Sequence, residues 1–401
     1  MRFLSDITRY SYSPREIKHC FRPKDLWDFK LRRALLDRDA ERISKTFYKS
    51  NSSIIKLTEH LLRNRSIFCT ETPYDTICLR RTDQILRKTL RSTTLNRNSE
   101  VRQFLEVLKG QHEATLYKTD IQSFFESVSF EAVIDKLSRE GFRNNSVLRH
   151  LKALNEYLIT HHKGYTGLPR GIALSSTLAD YYLQDIDNKL LSLDNVIYHT
   201  RYVDDICLLH VGSGSAVHAL IADSLKSLGL TLNPNKTRTL PMPSSDSFDF
   251  LGYKIGLIKP QKVSISASKL GKIKKRIVLS FRDFLHSADF LLLVKRLRFL
   301  STCTSMKKEG RTARVRSGLS QVYRLCTPDA LLADLVSLDR FLQGLLGSNR
   351  YYIAKQLKTK VSTSQLAELR SVSFQSGHKA KITMRLDKKS ISTLKKAWMY
   401  E

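Results

Sequence analysis

Arg201-Tyr202-Val203-Asp204-Asp205-Ile206-Cys207-Leu208-Leu209 is the stretch on which the rest of the chain turns. Val196-Ile197-Tyr198 leads into it with strand-forming residues, and Ile206 to Val211 leads out of it as a β-prone, largely apolar run. Two such runs pinched around two adjacent acids predict a β-hairpin with carboxylates at its tip. Adjacent carboxylates repel, so positive charge belongs beside them. A divalent metal is the natural candidate, because Mg²⁺ takes carboxylate oxygens together with the phosphates of a substrate. A solvated acidic turn is the alternative, and for an isolated Asp-Asp it would prevail. What sets it aside is the company this hairpin keeps.

The chain has 401 residues, 41% of them hydrophobic, enough for a substantial core in two or three subdomains. Its 68 Lys and Arg against 38 Asp and Glu leave a formal charge of +30. A globular protein that basic binds a polyanion, with nucleic acid the leading candidate. Membrane-surface binding is the runner-up, but no strongly amphipathic basic helix stands out and no segment approaches membrane-spanning length. Met1-Arg2-Phe3-Leu4-Ser5-Asp6 lacks the apolar run of a secretory signal. Cys20, Cys69, Cys78, Cys207, Cys303 and Cys326 show neither CxxC pairs nor Cys/His metal spacing and read as reduced thiols. His161-His162 has no neighbouring ligand partner. The expectation is a cytoplasmic protein without a membrane segment.

Residues 1–62 read as a charged, helical N-terminal extension, with Lys49-Ser50-Asn51-Ser52-Ser53 as a turn. Residues 63–114 follow, with Arg80, Arg81, Arg87, Lys88, Arg91, Arg97 and Arg102 recurring densely, either as a solvated face or as a phosphate clamp. From 115 to 257, strand and helix patterns alternate: a strand at 115–119, helices at 130–139, 175–191 and 218–228, and a hairpin-like element at 248–258. Strand-helix-strand-strand-helix-strand order predicts an α+β unit of ferredoxin-like type. Beyond residue 260 the texture is helical and basic, and residues 262–401 hold 29 Lys and Arg against 9 Asp and Glu.

Asp120 is a lone carboxylate closing a strand, 84 residues before the acid pair. Two-metal phosphoryl transfer needs carboxylates from separate strands converging on ions about 3.5–4 Å apart. One strand-end Asp plus a hairpin Asp pair meets that need. The surrounding residues then acquire a resemblance. Lys118-Thr119-Asp120-Ile121-Gln122-Ser123-Phe124-Phe125 resembles the first palm motif of reverse transcriptases, and Gly167-Leu168-Pro169-Arg170-Gly171-Ile172-Ala173-Leu174-Ser175 resembles the second. Tyr202-Val203-Asp204-Asp205 resembles their YxDD box, Leu230-Thr231-Leu232-Asn233-Pro234-Asn235-Lys236-Thr237 the fourth motif, and Phe248-Asp249-Phe250-Leu251-Gly252-Tyr253 the fifth, the primer grip. Each motif alone is weak; five in family order, over residues 74 to 258 of a strongly basic chain, are specific.

The resemblance implies a right-hand polymerase: fingers at 63–114, a ferredoxin-like palm with part of the fingers at 115–257, a helical thumb at 258–345 and a basic C-terminal extension at 346–401. It implies Asp120, Asp204 and Asp205, with the Ile121 carbonyl, as ligands of two Mg²⁺ ions, with Mn²⁺ as a substitute. Ser123 and Phe124 would hold the incoming triphosphate through backbone N–H groups. Phe125 would sit under the sugar and exclude a 2′-hydroxyl, so that dNTPs are preferred; core packing is its other reading. Gly171 would let the chain approach the bound pair closely. Lys236 would be the general acid for pyrophosphate, or a charge partner. Arg80, Arg81 or Arg87 would hold the triphosphate, and Leu251, Gly252 and Tyr253 the primer. Arg170 departs from the family pattern, which commonly has Gln there; it could touch template or nascent base pair.

No HNH, integrase or RNase H signature accompanies these motifs, so the chain looks like the stand-alone bacterial reverse transcriptases. Leu174-Ser175-Ser176-Thr177-Leu178-Ala179-Asp180 resembles the phage-defence-associated group. The expected partners are a structured non-coding RNA template, DNA product and dNTPs, with room for a protein partner or an oligomer. Tyr323, Tyr351, Tyr352 and Trp398 are candidates to stack on RNA bases. Two other readings stay open: a maturase-like RNA-binding scaffold, and an untemplated or protein-primed DNA polymerase, for which Tyr400 is one of 16 tyrosines.

Overall fold

In a computed structural model, which describes residues 10–49, 55–62, 65–91, 96–110, 113–307, 314–319, 323–380, 383–386 and 388–398, the chain divides into two units. The first takes residues 1–100 and 113–241, the second 101–112 and 242–401.

In the first unit, α1 (Pro14–Cys20), α2 (Pro23–Asp28) and α3 (Leu36–Lys49) form the N-terminal helices. Ala40, Ile43 and Phe47 of α3 recur at helical spacing and are buried. Tyr12 stacks on Phe47 at 3.7 Å, its hydroxyl meets Thr82 at 2.6 Å, and Thr82 meets His150 Nδ1 at 2.7 Å. Burial holds His150 down to about 4, so this internal chain of hydrogen bonds runs through a neutral imidazole.

β1 (Leu57–Leu62) pairs antiparallel with β2 (Arg65–Thr70), which overturns the helical reading of residues 57–62. Only Leu57 and Phe68 of this ribbon are buried, so it carries none of the two-residue alternation that announces a strand. α4 (Pro73–Thr89) follows, its Thr72 cap accepting from Asp75 N. The first three turns of α5 (Arg97–Gly110) carry Val101, Phe104 and Leu108, all fully buried.

β3 (Ala114–Asp120), α6 (Phe124–Ser127), α7 (Phe130–Arg139), α8 (Asn145–His161), α9 (Ala173–Leu191), β4 (Val196–Tyr202), β5 (Asp205–His210), α10 (Ser215–Ser227) and all but the last residue of β6 (Arg238–Met242) complete the first unit. Its sheet has the order β4-β5-β3-β6, with β5 antiparallel to both neighbours. On a strand-helix-strand-strand-helix-strand chain, that order is the split βαβ arrangement expected from the pattern. β5 is central and buried from Ile206 to His210, hence the unbroken apolar run in its sequence.

In the second unit, β7 (Ser247–Phe250), β8 (Tyr253–Gly256) and β9 (Val263–Ile265) form an antiparallel sheet. Phe104 of α5 packs against Phe248 and Phe250 at 5.7 and 5.6 Å. That contact divides the segment 63–114, which the sequence reads as one piece. α11 (Ala267–Ser287), α12 (Phe290–Ser301) and the helices Pro328–Gly347, Tyr352–Lys360 and Thr363–Ser371 supply the expected helical texture. A sheet of order β11-β10-β12, from β10 (Cys303–Lys307), β11 (Arg314–Ser317) and β12 (Thr383–Arg385), interrupts it. These strands have three to five residues and are rich in Ser, Thr, Lys and Arg, so propensity does not announce them.

Tyr323 and Trp398 are buried, and the Trp398 indole donates to Arg276 O and Ser280 Oγ at 3.1 Å, so both are packing residues. Tyr351 and Tyr352 are 59% and 71% exposed. The turn expected over residues 50–53 and Tyr400 fall outside the described residues. No described helix is long and apolar enough to cross a membrane.

Candidate active site

β3 ends on Asp120 and β5 begins on Asp205, and the antiparallel register sets these two residues opposite each other. Tyr202 also pairs with Asp205, which leaves Val203-Asp204 as a two-residue turn. Val203 has φ +64°, the left-handed position that glycine ordinarily takes in such a turn. A β-branched residue there stores about 1–3 kcal/mol, and conformations of that kind gather at functional sites. Two bonds hold the turn: Ile121 N donates to Asp204 O at 3.2 Å, and Arg201 Nη1 donates to Val203 O at 3.1 Å.

Three carboxylates therefore converge from two adjacent strand ends and the turn. Like charges directly across a sheet are unfavourable. Burial, then the Asp120 charge, hold the Asp204 carboxyl above the usual carboxylate range; Asp205 adds to the shift and Lys236 opposes it. Lys236 Nζ lies 2.8 Å from Asp120 Oδ2, and Lys118 Nζ lies 3.3 Å from Asp205 Oδ1. The positive charge demanded by the acid pair thus comes in part from the chain itself. Lys118 was not singled out in the sequence as that counter-charge. The signal was its spacing: two residues before Asp120 on one strand, hence on the same face.

The donor set fits Mg²⁺: crowded carboxylate oxygens whose mutual repulsion a dication relieves. Among the described residues, no three Asp, Glu, His or Cys side chains form a ready metal cage. Mg²⁺ does not require one, since it keeps waters and binds through one or two carboxylates plus substrate phosphates. The bridge between Ile121 and Leu232 uses the Asp120 carbonyl and the Gln122 N–H, so the Ile121 carbonyl lies outside that pair of bonds.

Residues 66–255, which contain this site, match the family model described as reverse transcriptase (RNA-dependent DNA polymerase). The match takes in just under half of the chain. No curated protein matches the chain. Among solved structures, it is similar to apo telomerase from Candida tropicalis truncated from its C-terminal domain, at 13% identity and TM-score 0.39 over 57% of this chain and 60% of that one. It is also similar to telomerase from Candida albicans in complex with a telomeric RNA fragment, at 12% identity and TM-score 0.41 over 89% and 65%. Apo telomerase from Candida tropicalis gives 13% and 0.39 over 94% and 62%. The chain spans 60 to 65% of the length of these structures.

Within the matched residues, Ser123 is exposed and left-handed (φ +46°) and leads into α6, a backbone alternation that points successive N–H groups towards one place, as an anion site requires. The Phe124 ring is buried, so any role at a nucleotide belongs to its backbone. Phe125 is half-buried. Gly171 has φ +102°, and a Cβ on it would stand 2.5 Å from Phe68 O and 3.0 Å from Ile67 Cγ2. The close approach that this glycine permits is to β2. Gly171→Ala is expected to lower unfolding free energy by about 2–3 kcal/mol; a loss under about 0.5 kcal/mol in denaturant melts would show that the loop relaxes freely.

The arginines expected at the triphosphate each have a carboxylate partner within the chain. Arg80 forms a fork on the buried Asp25 at 2.5 and 2.8 Å. Arg81, fully buried, binds Glu16 and the Ser11 carbonyl. Arg87 binds both oxygens of Asp83, which also accepts from Thr177. On α4, Arg80 and Arg81 tie the helix to the N-terminal layer, and Arg87 pairs within the helix itself. The run 174–180 is likewise stitching: Ser175 Oγ donates to Pro169 O, Thr177 to Asp83, and Asp180 meets Arg201. Arg201, at the edge of the hairpin stretch, and Asp187, to neither of which the sequence assigns a role, complete that cluster.

Leu251 and Gly252, both at positive φ, form the β7–β8 turn in the second unit, as a type I′ turn requires. Tyr253 is fully buried beside Tyr323 at 5.5 Å, so its ring is a core residue and not a primer contact.

Proposed function

We propose that the chain is an RNA-directed DNA polymerase that adds dNTPs to a 3′ end by two-metal phosphoryl transfer. The convergence of Asp120, Asp204 and Asp205 within the residues that match the reverse transcriptase family carries this reading. Two divalent ions on these carboxylates and the Ile121 carbonyl would supply Lewis-acid activation of the attacking hydroxyl and charge neutralisation at the leaving pyrophosphate. The residues themselves position the reactants. Arg201 and Ile121 hold the acidic turn, the N–H groups of Ser123 and Phe124 take triphosphate oxygens, and Phe125 occupies the space of a 2′-hydroxyl. Lys236, steered by Asp120, donates a proton to the departing pyrophosphate. A purified sample should extend a DNA primer on RNA with dNTPs and Mg²⁺ and stop on chelation. Incorporation that ignores the template would favour untemplated synthesis, and none on any substrate would favour the scaffold.

We further propose a dedicated, structured RNA as the template, and a role in bacterial antiphage defence in the cytoplasm. Supporting the first is the charge of residues 262–401 and the exposed Tyr351-Tyr352 pair, set in a stretch with no acid between Asp339 and Glu368. Charge alone grips any backbone; stacking adds about 1–3 kcal/mol per base and favours a structured RNA whose loops splay bases out. One discrete RNA should copurify at moderate salt, and Tyr351→Ala/Tyr352→Ala should lose it about tenfold or more while general RNA binding persists. Heterogeneous RNA at unchanged yield would count against it. The likeness of residues 174–180 supports the second, and a plaque assay comparing wild type with Asp204→Asn tests it.

A further inference from the structure

Arg170, where the family commonly has Gln, is held in one place by its neighbours. Its Nε lies 3.1 Å from Glu126 Oε1 and its Nη2 3.2 Å from Glu126 Oε2, a two-pronged ion pair. The same guanidinium carbon lies 4.9 Å from the centre of the Phe125 ring. Phe125 and Glu126 are consecutive residues of α6, while Arg170 comes from the loop before α9. The backbone fastens that loop to α6: Leu168 N donates to Phe125 O at 2.8 Å, and a Cβ on Gly167 would stand 2.7 Å from Glu126 O. On its other side Arg170 O accepts from Phe68 N at 2.7 Å, tying the loop to β2.

The half-buried Phe125 ring packs against the hydrophobic core and lies 5.4 Å from the Phe124 ring, and a planar cation against it narrows the remaining choice of rotamer. Glu126 orients that cation by both of its donors at once. We propose that Arg170 and Glu126 are positioning residues that clasp the Phe125 ring, so that discrimination between deoxyribose and ribose depends on this ion pair. The proposal rests on the reading of Phe125 as the residue that excludes a 2′-hydroxyl.

The geometry demands a flat, forked cation. Arg170→Gln keeps a hydrogen-bonding amide but removes the cation, and Arg170→Lys keeps charge without the plane. Both should lower the ratio of kcat/KM for dNTP over rNTP by about tenfold, the scale of a cation–π contact. Glu126→Gln should lower it less, and Glu126→Asp should retain most of it. In a Phe125→Ala background, where the ratio has already collapsed, Arg170→Gln should change it no further. Single-nucleotide incorporation on one primer-template, with melting temperatures alongside, reads all of this. If Phe125→Ala relaxes sugar choice and Arg170→Gln does not, the clasp is refuted and the gate stands. If Phe125→Ala leaves the ratio intact, the gate reading itself fails and the clasp with it. A parallel fall in both kcat/KM values at constant ratio, with a lowered melting temperature, would make the pair merely structural and also refute the clasp.

Discussion

Asp204→Asn is expected to reduce Mg²⁺-dependent dNTP incorporation by about 10³-fold or more, the several kcal/mol that metal-held transition-state charge contributes. Folding should not suffer. The Asp204 carboxyl is held above its ordinary range by burial and by Asp120. A carboxyl whose folded-state pKa is raised favours the fold when protonated and costs stability as pH rises through that value. Asn keeps the shape and removes the charge, so at neutral pH the melting temperature should be equal or higher, and Ile121 N still has the Asp204 position's carbonyl to donate to. Asp120→Asn should be equally inactive, though it also strips Lys236 of its partner. Wild-type incorporation by either variant would remove these carboxylates from the active site.

Arg201→Met should be the most destabilising single change near the site. The Arg201 side chain is 7% exposed and meets Asp187 through Nε and Nη2 and Asp180 through Nη1, both acids on α9. Burial holds the Asp180 carboxyl above its usual range even against the pull of Arg201, which marks the cluster as desolvated. Removing one partner of a buried ionic cluster leaves uncompensated charge and costs about 3–5 kcal/mol. Arg201 also supports the carbonyl of the strained Val203, so activity per folded molecule should fall as well. Denaturant melts and active-site-normalised rates separate the two effects. A combined Arg201→Met/Asp180→Asn/Asp187→Asn protein should recover much of the stability and little of the rate. A loss below about 1 kcal/mol for Arg201→Met would mean that solvent screens the cluster.

Which elements would form was largely written in local patterns. The strand ending at Asp120, the hairpin around Val203-Asp204, and the helices Phe130–Arg139 and Ala173–Leu191 rest on apolar periodicity and turn chemistry, which act between residues near in sequence. That Asp120 and Asp205 stand opposite each other, with Asp204 in the adjoining turn, also follows from that pattern, because a two-residue turn fixes the register of the hairpin. What escaped were matters settled between residues far apart. The ribbon β1–β2 and the sheet around β10 lack alternation and take their stability from what they pair with. The division of α5 depends on Phe104 meeting two phenylalanines some 140 residues away. Arginines look alike in a sequence: Arg80, Arg81 and Arg87 are paired with Asp25, Glu16 and Asp83, Arg201 braces the acidic turn, and Arg170 lies on an aromatic ring. A guanidinium takes its role from whichever carboxylate, carbonyl or ring the tertiary structure brings within about 3–6 Å, and no local pattern records that.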